Sequence, residues 1–110
     1  MFFINLFSGG NYMEINKSIN GNEMVLTLSG RLDTTTAPDL EAVVQKELDG
    51  VESLVIDFTD LEYISSAGLR VLLAAQKIMN RQGNMVVRHV NATVREVFEI
   101  TGFEDILTIE

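Results

Sequence analysis

The segment SSAGLR at positions 65–70 lies between a loop and a long run with helical periodicity. We predict that Ser66 is the N-cap of this helix, because serine is among the residues most favoured there. The hydroxyl of an N-cap serine stays at the surface, beside backbone N–H groups that have no intrahelical partner. A phosphoryl group at this place would meet the positive end of the helix dipole. The position suits either a plain capping serine or a serine that is switched by phosphorylation.

The helix predicted over residues 67–81 has two different faces. Its apolar face, which we expect to pack on a sheet, consists of Ala67, Val71, Leu72, Ala74, Ala75, Ile78 and Met79. Arg70, Lys77 and Arg81 cluster on the opposite side. Leu69 and Leu73 fall on the flank of this basic strip. Large aliphatic residues beside cations in an acidic protein indicate a docking surface, with coverage by a neighbouring loop as the alternative.

Strand and helix patterns alternate along the rest of the chain. We predict strands at 13–19, 24–29, 53–58, 85–90 and 106–109, and further helices at 37–48 and 92–100. Residues 20–22 form a turn signal, and residues 59–64 are predicted to be a loop. The resulting order β-β-α-β-α-β-α-β predicts an α/β fold with a mixed, mostly parallel sheet and packed helices.

The first twelve residues differ from the rest of the chain. The apolar run MFFINLF is followed by SGGN, which indicates a break. The run has no basic residue ahead of it and no clear cleavage site, so it is a poor signal peptide. We expect residues 1–12 to be an N-terminal extension that is disordered or precedes a natural start at Met13, and residues 13–110 to be one domain.

Composition narrows the classes of function. The 110 residues carry a formal net charge of −8, which disfavours nucleic acid and anionic membrane surfaces as partners. There is no cysteine, and no apolar run approaches the roughly 20 residues of a membrane span. We therefore expect a cytoplasmic protein with no membrane insertion.

The sequence offers little for catalysis. Asp33, Asp57, Asp60 and Glu62 are candidates for a metal site or an acid/base pair, but no spacing matches a metal loop, and aspartate is common at turns. His89 is the only histidine. Positions 64–68, ISSAG, lack the first glycine of a hydrolase nucleophile elbow, and no phosphate-binding glycine motif is present. We expect a protein that is not an enzyme and that has no cofactor or bound metal.

Four motifs together resemble a known family. They are LSGRLD at 28–33 followed by TA at 36–37, VIDF at 55–58, YISSAGL at 63–69 and VFEITGF at 97–103. In this order and on these elements they resemble the STAS domain, specifically the single-domain bacterial anti-sigma factor antagonists. The resemblance covers residues 13–110 and implies a mixed sheet with helices packed around it.

The resemblance also implies a function. Such proteins, in their unphosphorylated form, bind a partner that is both an anti-sigma factor and a serine kinase, and thereby free a sigma factor for transcription. Phosphorylation of one serine at the start of the second helix weakens the complex, and a serine phosphatase resets it. The acceptor carries over to Ser66. Ser65 occupies a position that is commonly acidic in the family, which makes it a second candidate for phosphorylation.

The expected partner-binding residues come from the resemblance and from the helix face. They are Asp33, Thr34, Thr35, Ser65, Ser66, Gly68, Leu69, Arg70, Leu73 and Lys77. We expect the free protein to be monomeric. The alternative is a STAS subunit of a lipid-trafficking ABC transporter, or another STAS regulatory module, without kinase chemistry.

Overall fold

The computed structural model describes the backbone of Phe2–Ser8 and all of residues 13–110. The elements are β1 (Phe2–Ser8), β2 (Met13–Asn20), β3 (Glu23–Leu32), α1 (Ala37–Glu47), β4 (Ser53–Ile64), α2 (Ser66–Gln82), β5 (Asn84–Arg88), α3 (Ala92–Thr101) and a 3₁₀ turn (Phe103–Asp105). The sheet has the order β1-β2-β3-β4-β5. Its first two pairings are antiparallel and its last two are parallel. The predicted α/β class with a mixed sheet is confirmed.

The core lies between the sheet and the helices. Alternate residues of β3, namely Met24, Leu26 and Leu28, are almost fully buried, as expected for a strand with one covered face. Phe58 of β4 and Phe98 of α3 meet in this core with their ring centroids 6.3 Å apart. Parallel pairing of β3 with β4 brings the ends of both strands to the same edge, where α1 and α2 begin.

The predicted loop at residues 59–64 is wrong, because these residues form the second half of β4. They pair with the end of β3, from Ser29↔Asp60 to Leu32↔Ile64. Thr59 and Asp60 resemble turn residues, but a shift in the β3–β4 register at this point accommodates them within the strand. Leu61 and Ile64 are then buried, and this burial favours continuation of the strand.

The predicted last strand, 106–109, is reduced to one parallel bridge between Val87 and Ile109. The backbone N–H of Val87 donates to Thr108 O at 2.8 Å, and the N–H of Glu110 donates to Val87 O at 2.8 Å. Pairing goes no further because β5 ends at Arg88, and His89, which the sequence placed in the strand, adopts a positive φ of 62°. Such a backbone conformation takes the chain out of the sheet.

All side chains of the predicted N-terminal extension, residues 1–12, lie outside the part of the chain that the structure describes, as do residue 1 and residues 9–12 altogether. Within it, β1 pairs antiparallel with β2 from Phe2↔Ile19 to Ser8↔Glu14. The hypothesis that the natural protein starts at Met13 stays a prediction. In the part of the chain that the structure describes, no helix is long and apolar enough to cross a membrane.

Candidate functional site

The start of α2 forms the centre of the candidate site. Ser65, and not the predicted Ser66, is the N-cap, with extended backbone angles of φ −104° and ψ 176°. The N–H of Ser65 donates to Leu32 O at 2.9 Å, and its carbonyl accepts the first helical bond from the N–H of Leu69 at 3.0 Å. This bond to β3 fixes the turn into the helix one residue earlier than the sequence suggested. Ser66 is therefore the first helical residue.

Ser66 is exposed, whereas the hydroxyl oxygen of Ser65 is buried. No side chain caps α2, and the first turn of α2 contains no acidic residue. The positive end of the helix dipole is thus uncompensated beside the Ser66 side chain. This environment favours an anionic group on Ser66.

Gly68 brings the start of α2 against the ends of β3 and β4. A Cβ atom at this position would lie 2.6 Å from Cγ of Leu32 and 2.9 Å from Cγ1 of Ile64, closer than side chains pack. Both of these residues are almost fully buried and have little room to move. The absence of a side chain at Gly68 therefore lets the start of α2 lie close to β3, and this places Ser66 next to the loop that follows β3.

The β3–α1 loop, residues 33–36, is held by its own side chains. Oδ1 of Asp33 accepts hydrogen bonds from the backbone N–H groups of Thr35 at 2.9 Å and Thr36 at 3.2 Å. The Thr36 hydroxyl donates to Arg31 O at 2.7 Å and accepts from the N–H of Asp33 at 2.9 Å. Thr36 is the N-cap of α1, but its hydroxyl bonds inside the loop and not to the helix. Thr34 and Thr35 are left exposed, and Thr34 lines a groove together with Ala67, the residue after Ser66.

A groove of about 180 Å³ separates α1 from α2 near Ser66. Its lining residues are Thr34, Ala37, Pro38, Glu41, Ala67, Arg70 and Val71. The sequence analysis found Thr34 and Arg70 but missed Pro38 and Glu41. Those two residues reach the site only because α1 packs against α2, and no local pattern in the chain signals that contact.

The prediction that Leu69 belongs to an exposed docking surface is wrong. Its side chain is 5% exposed and belongs to the core, because Gly68 lets the first turn of α2 sink towards β3. Leu73 is half-buried. Arg70, Lys77 and Arg81 are exposed, and none of them forms an ion pair within residues 13–110. The exposed surface of α2 is thus cationic more than apolar.

The acidic residues considered as a metal site do not assemble. Asp57 pairs with Thr27 in the sheet, whereas Asp33 follows Leu32, which pairs with Ile64. Among the described residues, no group of three or more His, Asp or Glu side chains is placed to hold a metal ion.

Asp57 instead contacts Thr59 in its own strand and His89, which follows β5. Its Oδ1 accepts from the Thr59 hydroxyl at 2.6 Å and from the Thr59 N–H at 2.9 Å, and lies 3.1 Å from Nδ1 of His89. Burial raises the pKa of the Asp57 carboxyl, but the hydrogen bonds from Thr59 and the contact with His89 outweigh it, so the net pKa lies below 3.8. These contacts connect β4 to the turn before α3.

Sequence reasoning also missed an aromatic contact near the site. The guanidinium of Arg31 lies 4.5 Å from the centre of the Tyr63 ring, and its Nε lies 3.7 Å from Oδ2 of Asp33. Arg31 and Tyr63 are partners in the β3–β4 register. Only that register could have revealed the pair, and the sequence analysis had assigned Tyr63 to a loop.

Comparisons with known proteins agree with this geometry. Residues 15–108 match the family model described as Mlab, STAS domain. The chain is 41% identical over 88 residues to the protein described as the anti-sigma factor antagonist BtrV of Bordetella bronchiseptica, covering 78% of this chain and 76% of that protein. It is 28% identical over 100 residues to the anti-sigma-B factor antagonist of Bacillus subtilis, covering 88% and 92% of the two chains.

A solved structure shows the same fold. The crystal structure of an anti-sigma factor antagonist from Mycobacterium paratuberculosis matches with a TM-score of 0.81 at 24% identity, over 94% of this chain and 89% of that one. The family model spans most of the chain, and the match to BtrV is close along three quarters of it. The chain therefore belongs to the STAS domain family.

Proposed function

We propose that this protein is an anti-sigma factor antagonist controlled by phosphorylation of Ser66. In its unphosphorylated form it binds an anti-sigma factor that is also a serine kinase, and a sigma factor is released. A serine phosphatase restores the binding form. The observation that carries the proposal is the exposed Ser66 at the uncapped start of α2, in a chain whose relatives are named as anti-sigma factor antagonists.

The proposed docking surface surrounds Ser66. It includes the exposed residues Thr34 and Thr35 of the β3–α1 loop and the exposed residues Arg70 and Lys77 of α2. The groove between α1 and α2 can accept a side chain of the partner. Of the remaining predicted contacts, Asp33 and Leu73 are half-buried at the margin, whereas Gly68 and Leu69 support the surface from beneath. We infer that the protein acts by binding alone and catalyses no reaction.

Charge explains how phosphorylation would release the partner. A phosphoserine adds nearly two negative charges in the middle of the docking surface. A partner surface that complements Arg70 and Lys77 is acidic, so the new charge is repelled. Arg70 lies one helical turn after Ser66, so the phosphate can form an ion pair with its guanidinium. Arg70 is then no longer available to the partner. A loss of about 3 kcal/mol from these two effects lowers affinity about a hundredfold.

Accessibility favours Ser66 over Ser65 as the phosphorylated residue. A kinase must bring the acceptor hydroxyl into its own active site, and the Ser66 side chain is exposed. The Ser65 hydroxyl oxygen is buried at the turn between β4 and α2. Ser65 would become an acceptor only if the first turn of the helix opened.

The test is phosphorylation by the cognate kinase, with the modified residue mapped by mass spectrometry. We expect Ser66→Ala to abolish labelling and to keep partner affinity within about twofold, and Ser66→Asp to weaken binding by about tenfold or more. Ser65→Ala, the matched control one residue away, should still be labelled. Labelling of Ser65 with Ser66 unmodified would overturn the residue assignment.

The transporter-subunit alternative predicts a different partner. Affinity capture of the tagged protein from its own cells should recover an ATPase of the serine kinase class if the proposal is right. Recovery of a transporter ATPase, with capture unaffected by Ser66→Asp, would favour the alternative.

A further inference from the structure

We propose that the carboxyl-terminal end of α3 is a second docking surface, for a cationic amphipathic segment of another protein. Ile100 is 77% exposed and Ile106 is 46% exposed, and within residues 13–110 these are the large hydrophobic residues that are exposed. They flank the turn at Gly102, where α3 ends in a left-handed conformation and the 3₁₀ turn begins. We refer to Ile100 and Ile106 as the α3 patch.

The fold itself does not need the α3 patch. Val94 and Phe98 anchor α3 in the core, and both are fully buried. Ile100 lies two residues after Phe98, about 200° around the helix, and therefore faces away from the core. An isoleucine with most of its side chain in water adds apolar surface that stabilises nothing inside the domain.

The surroundings of the α3 patch are acidic. The exposed acidic residues next to it are Glu96, Glu99, Glu104 and Asp105. Glu96 lies one turn before Ile100, on the same side of the helix. The last turn of α3 contains no basic residue, so the negative end of its dipole adds to this field. Arg95, the one cation of α3, lies about 140° around the helix from Ile100.

Apolar side chains within an acidic rim fit a partner that has apolar residues flanked by lysine or arginine. A second copy of this chain is a poor occupant, because each copy has a net charge of −8 and the two acidic rims would repel each other. Charge complementarity therefore selects a cationic amphipathic segment.

The α3 patch is remote from Ser66. At the beginning of α3, the Asn91 amide donates to Leu61 O at 2.9 Å, near the end of β4. From there α3 extends about 15 Å, and the chain returns alongside β5 in the parallel direction. Ile100 thus lies towards the end of the sheet opposite to the start of α2. A segment bound there would leave the Ser66 surface free, so the protein could be held at a second partner while its switch operates.

The test uses a fluorescein-labelled helical peptide built from leucine on one face and lysine on the other, titrated by fluorescence anisotropy. We expect saturable binding whose Kd rises about tenfold in the double variant Ile100→Ser with Ile106→Ser, which changes no charge. Glu96→Gln with Glu99→Gln should weaken binding by a similar factor. The matched control Glu23→Gln with Glu52→Gln removes the same charge elsewhere and should leave Kd within about twofold.

Three results would overturn the proposal. One is an unchanged Kd in the double serine variant, and another is an equal loss in both glutamine variants, which would show unspecific charge attraction. The third is a wild-type dimer, seen by light scattering, that the double serine variant abolishes, since the patch would then bind a second copy. Circular dichroism checks the fold of each variant. An unchanged Kd for the peptide in the Ser66→Asp variant would show that binding at the α3 patch is independent of the proposed switch.

Discussion

At Ser65 the hydroxyl oxygen is buried and has no hydrogen-bond partner among the described residues, although the residue is the N-cap of α2. A buried polar group without a partner destabilises a fold by about 1–3 kcal/mol. Asn91, the N-cap of α3, is the opposite case. Its side chain accepts from the N–H of Val94 at 2.8 Å and donates to Leu61 O at 2.9 Å. The two N-cap residues therefore contribute differently to stability although both begin helices.

This contrast gives a prediction about stability. Ser65→Ala should leave the free energy of unfolding unchanged or raise it by up to about 1 kcal/mol, because no cap bond is lost. Asn91→Ala should lower it by about 1–2 kcal/mol, because a cap bond and a bond to β4 disappear. Urea denaturation of both variants and the wild type measures the difference. A loss of stability in Ser65→Ala equal to that in Asn91→Ala would contradict the unpartnered hydroxyl.

Asp57 gives a prediction about pH. Because its pKa in the folded protein lies below 3.8, the carboxylate stabilises the fold above the unfolded pKa, and this contribution is lost as the pH falls through the folded pKa. The site is partly open to water, so we expect Asp57→Asn to lower the free energy of unfolding at neutral pH by less than about 1 kcal/mol. The difference from the wild type should vanish in acid. The exposed Asp60, as Asp60→Asn, is the control in the same urea series, and a difference that grows in acid would contradict the mechanism.

At the scale of elements, the packing of α2 depends on Gly68. We expect Gly68→Ala to destabilise the protein by about 1–3 kcal/mol, because a methyl group would overlap Leu32 and Ile64. The helix start would also shift away from β3, so phosphorylation of Ser66 should slow. Thermal unfolding and the rate of kinase labelling measure the two effects. Ala67→Gly, the change in the opposite direction one residue earlier, is the control for helix propensity, and full stability of Gly68→Ala would show that the close approach is not needed.

The buried residues of α2 show where helical periodicity predicts burial correctly and where it does not. The helical wheel correctly placed Val71, Leu72 and Met79 in the core. It placed Leu69 at a surface flank, whereas the structure buries that residue. A helical wheel assumes that the helix packs against the sheet at the same depth along its whole length. Here the first turn lies deeper than the rest, because Gly68 has no side chain to hold it away from β3.

At the scale of the whole molecule, charge is distributed unevenly. The chain has 16 acidic and 8 basic residues, yet Arg70, Lys77 and Arg81 lie together on α2 without ion pairs in the described side chains. A cationic strip on an acidic molecule orients its approach to an acidic partner surface. If the proposed function is right, the strip acts mainly on the rate of association.

We therefore expect binding to the anti-sigma factor to weaken with added salt. Arg70→Ala with Lys77→Ala should raise Kd by about tenfold at low salt, mainly through a slower association rate, and should flatten the salt dependence. Surface plasmon resonance over a range of salt concentrations measures both rates. Lys46→Ala with Arg95→Ala removes the same charge from exposed positions on α1 and α3 and should have little effect. An equal effect of the two double variants would indicate that the net charge of the protein, and not the cationic strip on α2, controls the association rate.

Local chemistry along the chain was enough to determine the α/β class, the order of the main elements and the place of Ser66 at the beginning of α2, because hydrophobic periodicity and turn residues act over a few neighbouring positions. The same local chemistry failed at residues 59–64, at Leu69 and at the last strand. Their state depends on pairing with β3, on the depth of α2 against the sheet and on the early end of β5. The tertiary structure alone placed Pro38, Glu41 and Tyr63 at the site, since contacts between residues far apart in the chain arise only when the sheet register and helix packing are fixed.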